Sequence, residues 1–241
     1  MLHPNLVSDI RQNLTRVQAQ IAESARRAGR NPESVRLVVV TKTHPVETVR
    51  AAVEAGAAIL GENYAEEAVA KMQAVDRMDV EWHMIGHVQS RKARLVAENF
   101  ALMHSLDSLK LARRLDNFAA EAGRTLPVLL EFNVGGEPSK SGWGAGDESR
   151  WGELLPEVEE ILSLGQLETR GLMTMPPLGE QAEASRAYFV RLRRLRDFLG
   201  RHFPQSAWDE LSMGTSLDFT VAIEEGATLV RVGTSILGPR S

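Results

Sequence analysis

Short apolar runs rich in β-branched residues alternate along the chain with longer segments of helical period. The short runs predict eight strands, at residues 36–40, 57–60, 80–85, 101–106, 127–134, 169–175, 209–214 and 228–233. The segments between them carry apolar residues spaced by three and four, which predicts helices such as 46–56, 108–123 and 186–200. Glycines at 56, 123 and 200 are expected as left-handed helix ends.

Eight strand and helix units predict an α/β fold of the (β/α)8 TIM barrel type, because eight parallel strands close into a barrel. Apolar positions from Leu6 to Ile21 predict an additional N-terminal amphipathic helix. We expect residues 1–241 to form a single domain. A doubly wound open sheet is the alternative, weakened because no G-x-G-x-x-G follows the first strand.

Polar clusters follow most of the predicted strands. GENY begins at Gly61, TKTH at Thr41, GHVQSRK at Gly86, SKSG at Ser139 and MGTS at Met213. In a barrel, the loops after the strands gather at one rim and carry the functional groups. We therefore expect a site at that rim.

The composition of the chain excludes several kinds of site and partner. The chain has no cysteine, which excludes disulfides, thiolate nucleophiles and zinc-thiolate centres. Its formal net charge of -4 gives no general attraction to phosphate backbones, and the basic run 191–196 alternates with leucine as on the exposed face of a helix. With no apolar run of about 20 residues, neither nucleic acid nor membrane is an expected partner. A cytoplasmic monomer is expected.

Lys42 and Arg231 are the two cations whose strand positions predict chemistry. Lys42 shares a face with Val38 and Val40, so an inward face would place its amine at the mouth of an apolar barrel. Burial there would lower the pKa of the amine and favour a Schiff base. The alternative is a lysine that reaches water at a strand end.

Arg231 alternates with Val230 and Val232, so outward valines would turn its guanidinium into the barrel. A buried guanidinium needs a hydrogen-bond acceptor, either a bound group or a carboxylate such as Glu131.

Two loops of small residues, Ser212–Ser216 and Gly233–Ser235, predict a phosphate site. Their glycines admit a ligand to the backbone, and loops after the last two strands are where barrels most often hold phosphate. Ser216 and Ser235 could instead be plain helix N-caps. His83, His87 and His104 give only a weak indication of a metal site.

An amine, a phosphate site and an inward arginine on one rim together describe a place for pyridoxal 5'-phosphate. The purely physical alternative is a barrel aldolase, whose Schiff base forms with a sugar phosphate.

The motifs VVVTKTHP, GENYAEE, WHMIGHVQSRK, SKSG, GLMTMPP, LSMGTSLDFTVAIEEGAT and VRVGTSILG resemble, in order and spacing, the pyridoxal phosphate homeostasis protein family. The resemblance implies a barrel similar to the alanine racemase N-terminal domain, with pyridoxal phosphate as a Schiff base on Lys42. It further implies a set of contact residues: Asn63 beside the cofactor, Ser212, Gly214, Gly233 and Thr234 at its phosphate, and Arg231 at its ring nitrogen. The chain departs from the family at His44, where relatives often have lysine, and at Arg91, where they often have asparagine.

The expected role is a non-catalytic carrier that stores, buffers or delivers pyridoxal phosphate, with apo enzymes that use this cofactor as recipients. An arginine beside the ring nitrogen opposes its protonation and makes the ring a poor electron sink. The predicted barrel also leaves no residues for the β-rich second domain of alanine racemase. Lys140 is a second amine that could receive the aldehyde during transfer, and the alternative is a loop lysine that is simply solvated. A racemase-like enzyme is the alternative.

Overall fold

The computed structural model describes residues 5–137, 140–177 and 181–239. Of the SKSG segment, Ser139 therefore lies outside the described residues. The strands are β1 Arg36–Val40, β2 Ile59–Glu62, β3 Glu81–Met84, β4 Leu102–Leu106, β5 Leu126–Asn133, β6 Trp143–Gly144, β7 Leu167–Met173, β8 Glu210–Thr215 and β9 Leu229–Val232. The α-helices are α1 Leu6–Arg27, α2 Val46–Ala55, α3 Ala65–Val75, α4 Ala93–Asn99, α5 Leu109–Glu121, α6 Leu155–Leu162, α7 Arg186–His202, α8 Phe219–Glu224 and α9 Thr234–Leu237.

The long strands form a closed parallel barrel. Their order is β4-β3-β2-β1-β9-β8-β7-β5, and a further pairing of β4 with β5 closes the ring. The two-residue strand β6 pairs only with the end of β5. The predicted eight-stranded barrel with an N-terminal helix is confirmed.

Apolar residues pack in two separate regions, one inside the barrel and one between the strands and the helices. The interior group is Val38, Leu102, Leu129, Met173 and Leu229. Val39, Val230 and Val232 belong to the outer region. Successive strand residues point to opposite faces, so Val38 and Arg231, which are paired in register, both face inward.

Strand β2 ends two residues later than the sequence predicts. The predicted strand 57–60 is observed as Ile59–Glu62, so the charged residue Glu62 lies within the strand and fully buried. Lys71 of α3 pairs with it, and this partner allows a carboxylate to remain in the core. Asn63 is therefore the first residue after the strand.

Two of the three predicted glycine helix ends are confirmed. Gly56 and Gly123 have φ angles of 110° and 65°, which glycine adopts without strain. The prediction that a helix ends at Gly200 was wrong, because α7 continues through this residue to His202. The buried residues Leu199 and Phe203 on either side extend the apolar face of the helix past the glycine.

Helix α1 packs on α2, α8 and α9. Its Asn13 side chain donates from Nδ2 to the Ile236 carbonyl of α9 at 3.1 Å. Helix α1 thus joins the units that follow the first and last barrel strands. In the described ranges no helix is long and apolar enough to cross a bilayer.

Candidate functional site

A cavity of about 570 Å³ opens where the barrel strands end. This volume is in the range of small-molecule and cofactor sites. Its lining is Val40, Lys42, His44, Asn63, Ile85, His87, Glu131, Lys140, Ser141, Met175, Thr215, Ser216, Leu217, Arg231, Gly233 and Thr234. Of the seven cofactor contacts that the resemblance implies, five line this cavity: Lys42, Asn63, Arg231, Gly233 and Thr234.

The backbone at Lys42 is held in a strained shape. Thr43, the next residue, has a φ of 62°, a conformation that a β-branched residue rarely adopts and that costs on the order of 1–3 kcal/mol. The Thr43 N–H donates to Glu67 Oε1 at 3.0 Å. The surrounding contacts thus fix the direction in which the chain carries Lys42 away from β1.

Lys71 holds the other side of this turn. Only 3% exposed, it donates from Nζ to the Thr41 carbonyl at 2.8 Å and to Glu62 Oε1 at 2.7 Å. It also pairs with Glu67 at 2.5 Å. Burial raises the pKa of Glu62, and the hydrogen bonds from Lys71 and Thr41 oppose that rise. Sequence reasoning missed Lys71, because a Glu and Lys pair four residues apart on a helix usually marks an exposed face.

Asn63 stands between the large cavity and a smaller one of about 360 Å³. Its Oδ1 is buried and accepts no hydrogen bond from the described residues. A buried acceptor of this kind normally has a partner. The amide therefore fits a bound polar group.

Arg231 lies at the floor of the cavity with 3% exposure. It donates from Nη1 to Ser212 Oγ, and from Nη2 to the Thr174 carbonyl at 2.9 Å and to Met175 Sδ at 3.0 Å. Burial lowers the pKa of Arg231 to about 10. Its side chain enters the barrel while both neighbouring valines pack outward.

Glu131 is not the hydrogen-bonded partner of Arg231. Within the described ranges no hydrogen bond or close ion pair joins them, although the two charges face the same cavity. Burial, with a smaller contribution from Asp107, raises the pKa of Glu131 to about 7. The carboxylate alternative for Arg231 was therefore wrong, since neutral oxygens and a sulfur accept from the guanidinium.

The two small-residue loops meet at one side of the cavity. Ser216 Oγ accepts from the Gly233 N–H at 3.3 Å. A Cβ on Gly233 would lie 3.1 Å from the Val40 carbonyl oxygen, so glycine lets this loop approach β1. The N-cap positions belong to Asp218 and Gly233, so neither Ser216 nor Ser235 is an N-cap.

Ser212 and Gly214, which the resemblance places at the phosphate, are not among the residues that line the cavity. Ser212 is fully buried and its hydroxyl contacts His104 and Arg231. Gly214 has a φ of 91°, and a Cβ there would lie 2.5 Å from that of Ala222. Ser212 thus anchors Arg231, and Gly214 admits α8 against the barrel.

The remaining polar residues considered from the sequence lie in the cavity lining, on the surface or in the barrel interior. His44 and Lys140 line the cavity. His87 also lines it and contacts Asp107 through Nδ1 at 2.6 Å. Arg91 donates to Gln89 on the exposed surface. His83 and His104 contact each other inside the barrel, and no cluster of three or more metal-ligating side chains occurs in the described part of the chain.

Comparison with known proteins identifies relatives over nearly the whole length. Residues 12–241 match the family described as alanine racemase, N-terminal domain. A pyridoxal phosphate homeostasis protein of Vibrio alginolyticus is 42% identical over 238 residues, covering 97% of this chain and 99% of that protein.

Two solved structures extend the comparison. PipY of Synechococcus elongatus, with PLP bound, superposes with a TM-score of 0.83 at 38% identity and covers 95% of this chain and 100% of PipY. An alanine racemase of Clostridium difficile shares the fold with a TM-score of 0.69 at 17% identity, and 56% of that enzyme is covered. The chain therefore belongs to the alanine racemase N-terminal domain family, and within it to the pyridoxal phosphate homeostasis proteins.

Proposed function

We propose that this protein binds pyridoxal 5'-phosphate, with the Lys42 amine as the covalent anchor, and serves to store, buffer or deliver it. One observation carries the proposal: Lys42, Arg231 and the loops at Thr215 and Gly233 all open into a single cavity of about 570 Å³. The relatives named above support it, because they are pyridoxal phosphate homeostasis proteins and one was solved with PLP bound.

The residues present fit this cofactor at each of its ends. We assign the aldehyde end to Lys42, the ring nitrogen to Arg231 and the flank beside the aldehyde to Asn63, whose buried acceptor lacks a partner among the described residues. For the phosphate we retain Gly233 and Thr234 and add Thr215 and Ser216, because these four line the cavity. Ser212 and Gly214 lie outside this lining, where Ser212 contacts Arg231 and Gly214 packs against α8. When bound, the cofactor supplies an aldehyde that exchanges reversibly between amines.

Arg231 also supports a non-catalytic role. Its guanidinium opposes a second positive charge on a neighbouring ring nitrogen, and an unprotonated ring is a poor electron sink for reactions at the α-carbon of an amino acid. We propose a cytoplasmic monomer whose recipients are apo enzymes that use this cofactor. Lys140 is the amine in the cavity lining best placed to share the aldehyde with Lys42 during transfer.

The test is the visible absorption of the purified protein with added pyridoxal phosphate, followed by borohydride reduction and peptide mapping. The parent is expected to show a Schiff-base band and a reduced adduct on Lys42, and Lys42→Ala is expected to lose both. Lys140→Ala serves as the matched control, because it removes a second amine of the same cavity and should keep the band.

Two other results would change the assignment. An adduct spread over surface lysines, or an unchanged band in Lys42→Ala, would contradict Lys42 as anchor. Rapid exchange of an amino acid α-proton with deuterated solvent in the loaded protein would contradict the carrier role and favour a racemase-like enzyme.

A further inference from the structure

A hydrogen-bonded chain of polar side chains crosses the barrel interior from the cavity floor to the opposite end. Arg231 Nη1 contacts Ser212 Oγ. Ser212 Oγ lies 2.7 Å from His104 Nδ1, and His104 Nε2 lies 3.0 Å from His83 Nδ1. The chain ends where His83 Nε2 meets Glu81 Oε2 at 3.3 Å. Glu81 is the first residue of β3, so this end lies at the face of the barrel away from the cavity.

The two ends of the chain determine the position of every proton between them. A guanidinium only donates and an ionised carboxylate only accepts, and the contact with His83 lowers the pKa of Glu81. Ser212 must therefore accept from Arg231, which leaves its own hydroxyl proton for His104 Nδ1. His104 then carries its proton on Nε2 and donates to His83, and His83 carries its proton on Nε2 and donates to Glu81.

The surroundings keep both histidines neutral, as this arrangement requires. His83 and His104 are 1% and 0% exposed. Burial lowers the pKa of both rings, and their mutual proximity together with Arg231 lowers that of His104 further. A protonated His104 would donate from both nitrogens and would place a second cation beside Arg231.

We propose that His104 and His83 are positioning residues for Arg231. Through Ser212 they fix the direction of the hydrogen bonds, so that the guanidinium always meets a serine lone pair and keeps a single orientation towards the cavity. The proposal rests on the proposed function in one respect, namely that Arg231 faces the ring nitrogen of pyridoxal phosphate. The proton positions themselves do not depend on any ligand.

Nitrogen-15 NMR of the histidine side chains in the ligand-free parent is the first test. Both rings are expected as neutral tautomers with the proton on Nε2 at pH 7 and above. A proton on Nδ1 of either ring would overturn the proposal. The Arg231 guanidinium is expected to give sharp, slowly exchanging signals in the parent that broaden in His104→Leu, whether or not ligand is present.

The second test compares dissociation constants for pyridoxal phosphate. His104→Leu removes both hydrogen bonds of the ring and should weaken binding by about tenfold or more, the scale of a hydrogen bond to a charged group. His104→Gln, whose amide can both accept and donate, should restore most of the affinity. Ser212→Ala interrupts the chain beside Arg231 while both histidines remain in place. It should weaken binding like His104→Leu, so the test can still be decided if the leucine variant fails to fold.

Leu129→Ala is the control, because it disturbs the apolar interior without touching the chain. An equal loss of affinity in this control, or unchanged affinity and Arg231 signals in His104→Leu and Ser212→Ala, would overturn the proposal. Either result leaves the Lys42 adduct intact, whereas absence of that adduct in the parent refutes the proposed function and leaves the tautomers unaffected.

Discussion

For single residues of this cavity, the sequence predicts the position of the side chain better than its hydrogen-bond partners. The alternation in β9 predicted an inward Arg231 if the neighbouring valines faced outward, and the structure has both. For Lys42 the alternation left an exposed alternative open, because Lys42 lies two residues beyond the end of β1. The partners of Arg231 could not be predicted, since Ser212, Thr174 and Met175 come from neighbouring strands and loops. Glu131 was named as a possible partner of Arg231, but whether the two side chains form a close ion pair depends on distances that no sequence pattern contains.

Glu131 gives a prediction about pH and stability. Its folded-state pKa of about 7 lies above its ordinary value of 4.5, so the folded protein holds this proton more tightly than the unfolded chain. The group therefore carries no penalty below about pH 4.5 and destabilises the fold increasingly as pH rises through 7, by at most about 3 kcal/mol. Glu131→Gln is expected to raise the free energy of unfolding relative to the parent more at pH 8 than at pH 5.

Urea unfolding of both proteins at the two pH values measures this difference. Glu168→Gln is the matched control, because Glu168 lies on β7 and pairs with Arg170 on the exposed surface. A Glu131→Gln advantage that is the same at pH 5 and pH 8 would contradict the raised pKa.

The turn between β1 and α2 shows how a helix can shape a site that it does not line. Helix α3 supplies Lys71 and Glu67, which bind the backbone on either side of Lys42. Sequence reasoning did not indicate this role, because a Glu and a Lys four residues apart on a helix are usually exposed. The predicted strand 57–60 ended before Glu62, because a carboxylate is not expected inside a buried strand unless a partner such as Lys71 is known.

Lys71→Met is therefore expected to be strongly destabilising. The change leaves Glu62 fully buried without its cation, a loss of about 3–5 kcal/mol when one partner of a buried pair is removed. Adding Glu62→Gln in the same chain should recover a large part of that loss, because the orphaned charge disappears. Chemical unfolding of the single and double variants measures both effects.

Lys92→Met provides the comparison. Lys92 pairs at the surface with Glu66, which belongs to α3 as Lys71 does. Surface pairs of this kind contribute about 1 kcal/mol or less. A Lys71→Met loss as small as that of Lys92→Met would show that the buried network does not hold the turn.

The barrel as a whole was the most predictable level of the structure. Strand and helix alternation specifies a small set of folds, and eight units specify a closed barrel. The size of the cavity was not predictable, because it depends on how far each loop rises above its strand. The smaller cavity that borders Asn63 was not predicted from the sequence either, because it also depends on the positions of the loops.

Ligand binding should stabilise the entire barrel. At a free pyridoxal phosphate concentration of about one hundred times the dissociation constant, the stabilisation is about 2.7 kcal/mol. For a chain of this length, this corresponds to a rise in Tm of about 5–10 °C. Thermal unfolding followed by circular dichroism measures the rise, which should be much smaller in Lys42→Ala.

Pyridoxamine 5'-phosphate is the control ligand, because it keeps the ring and phosphate but has an amine in place of the aldehyde. A rise in Tm as large with this compound as with pyridoxal phosphate would argue against a covalent contribution from Lys42.

The pairing of β1 with β9 has a consequence for how the protein matures. Lys42 follows the first barrel strand and Gly233 follows the last, yet a Cβ on Gly233 would nearly touch the Val40 carbonyl oxygen. Contacts this distant in sequence form late, after the entropy of closing the intervening chain has been overcome. A chain emerging from the ribosome thus exposes Lys42, the proposed anchor, long before it has a cavity around it, and it gains a complete cavity only when β9 joins β1.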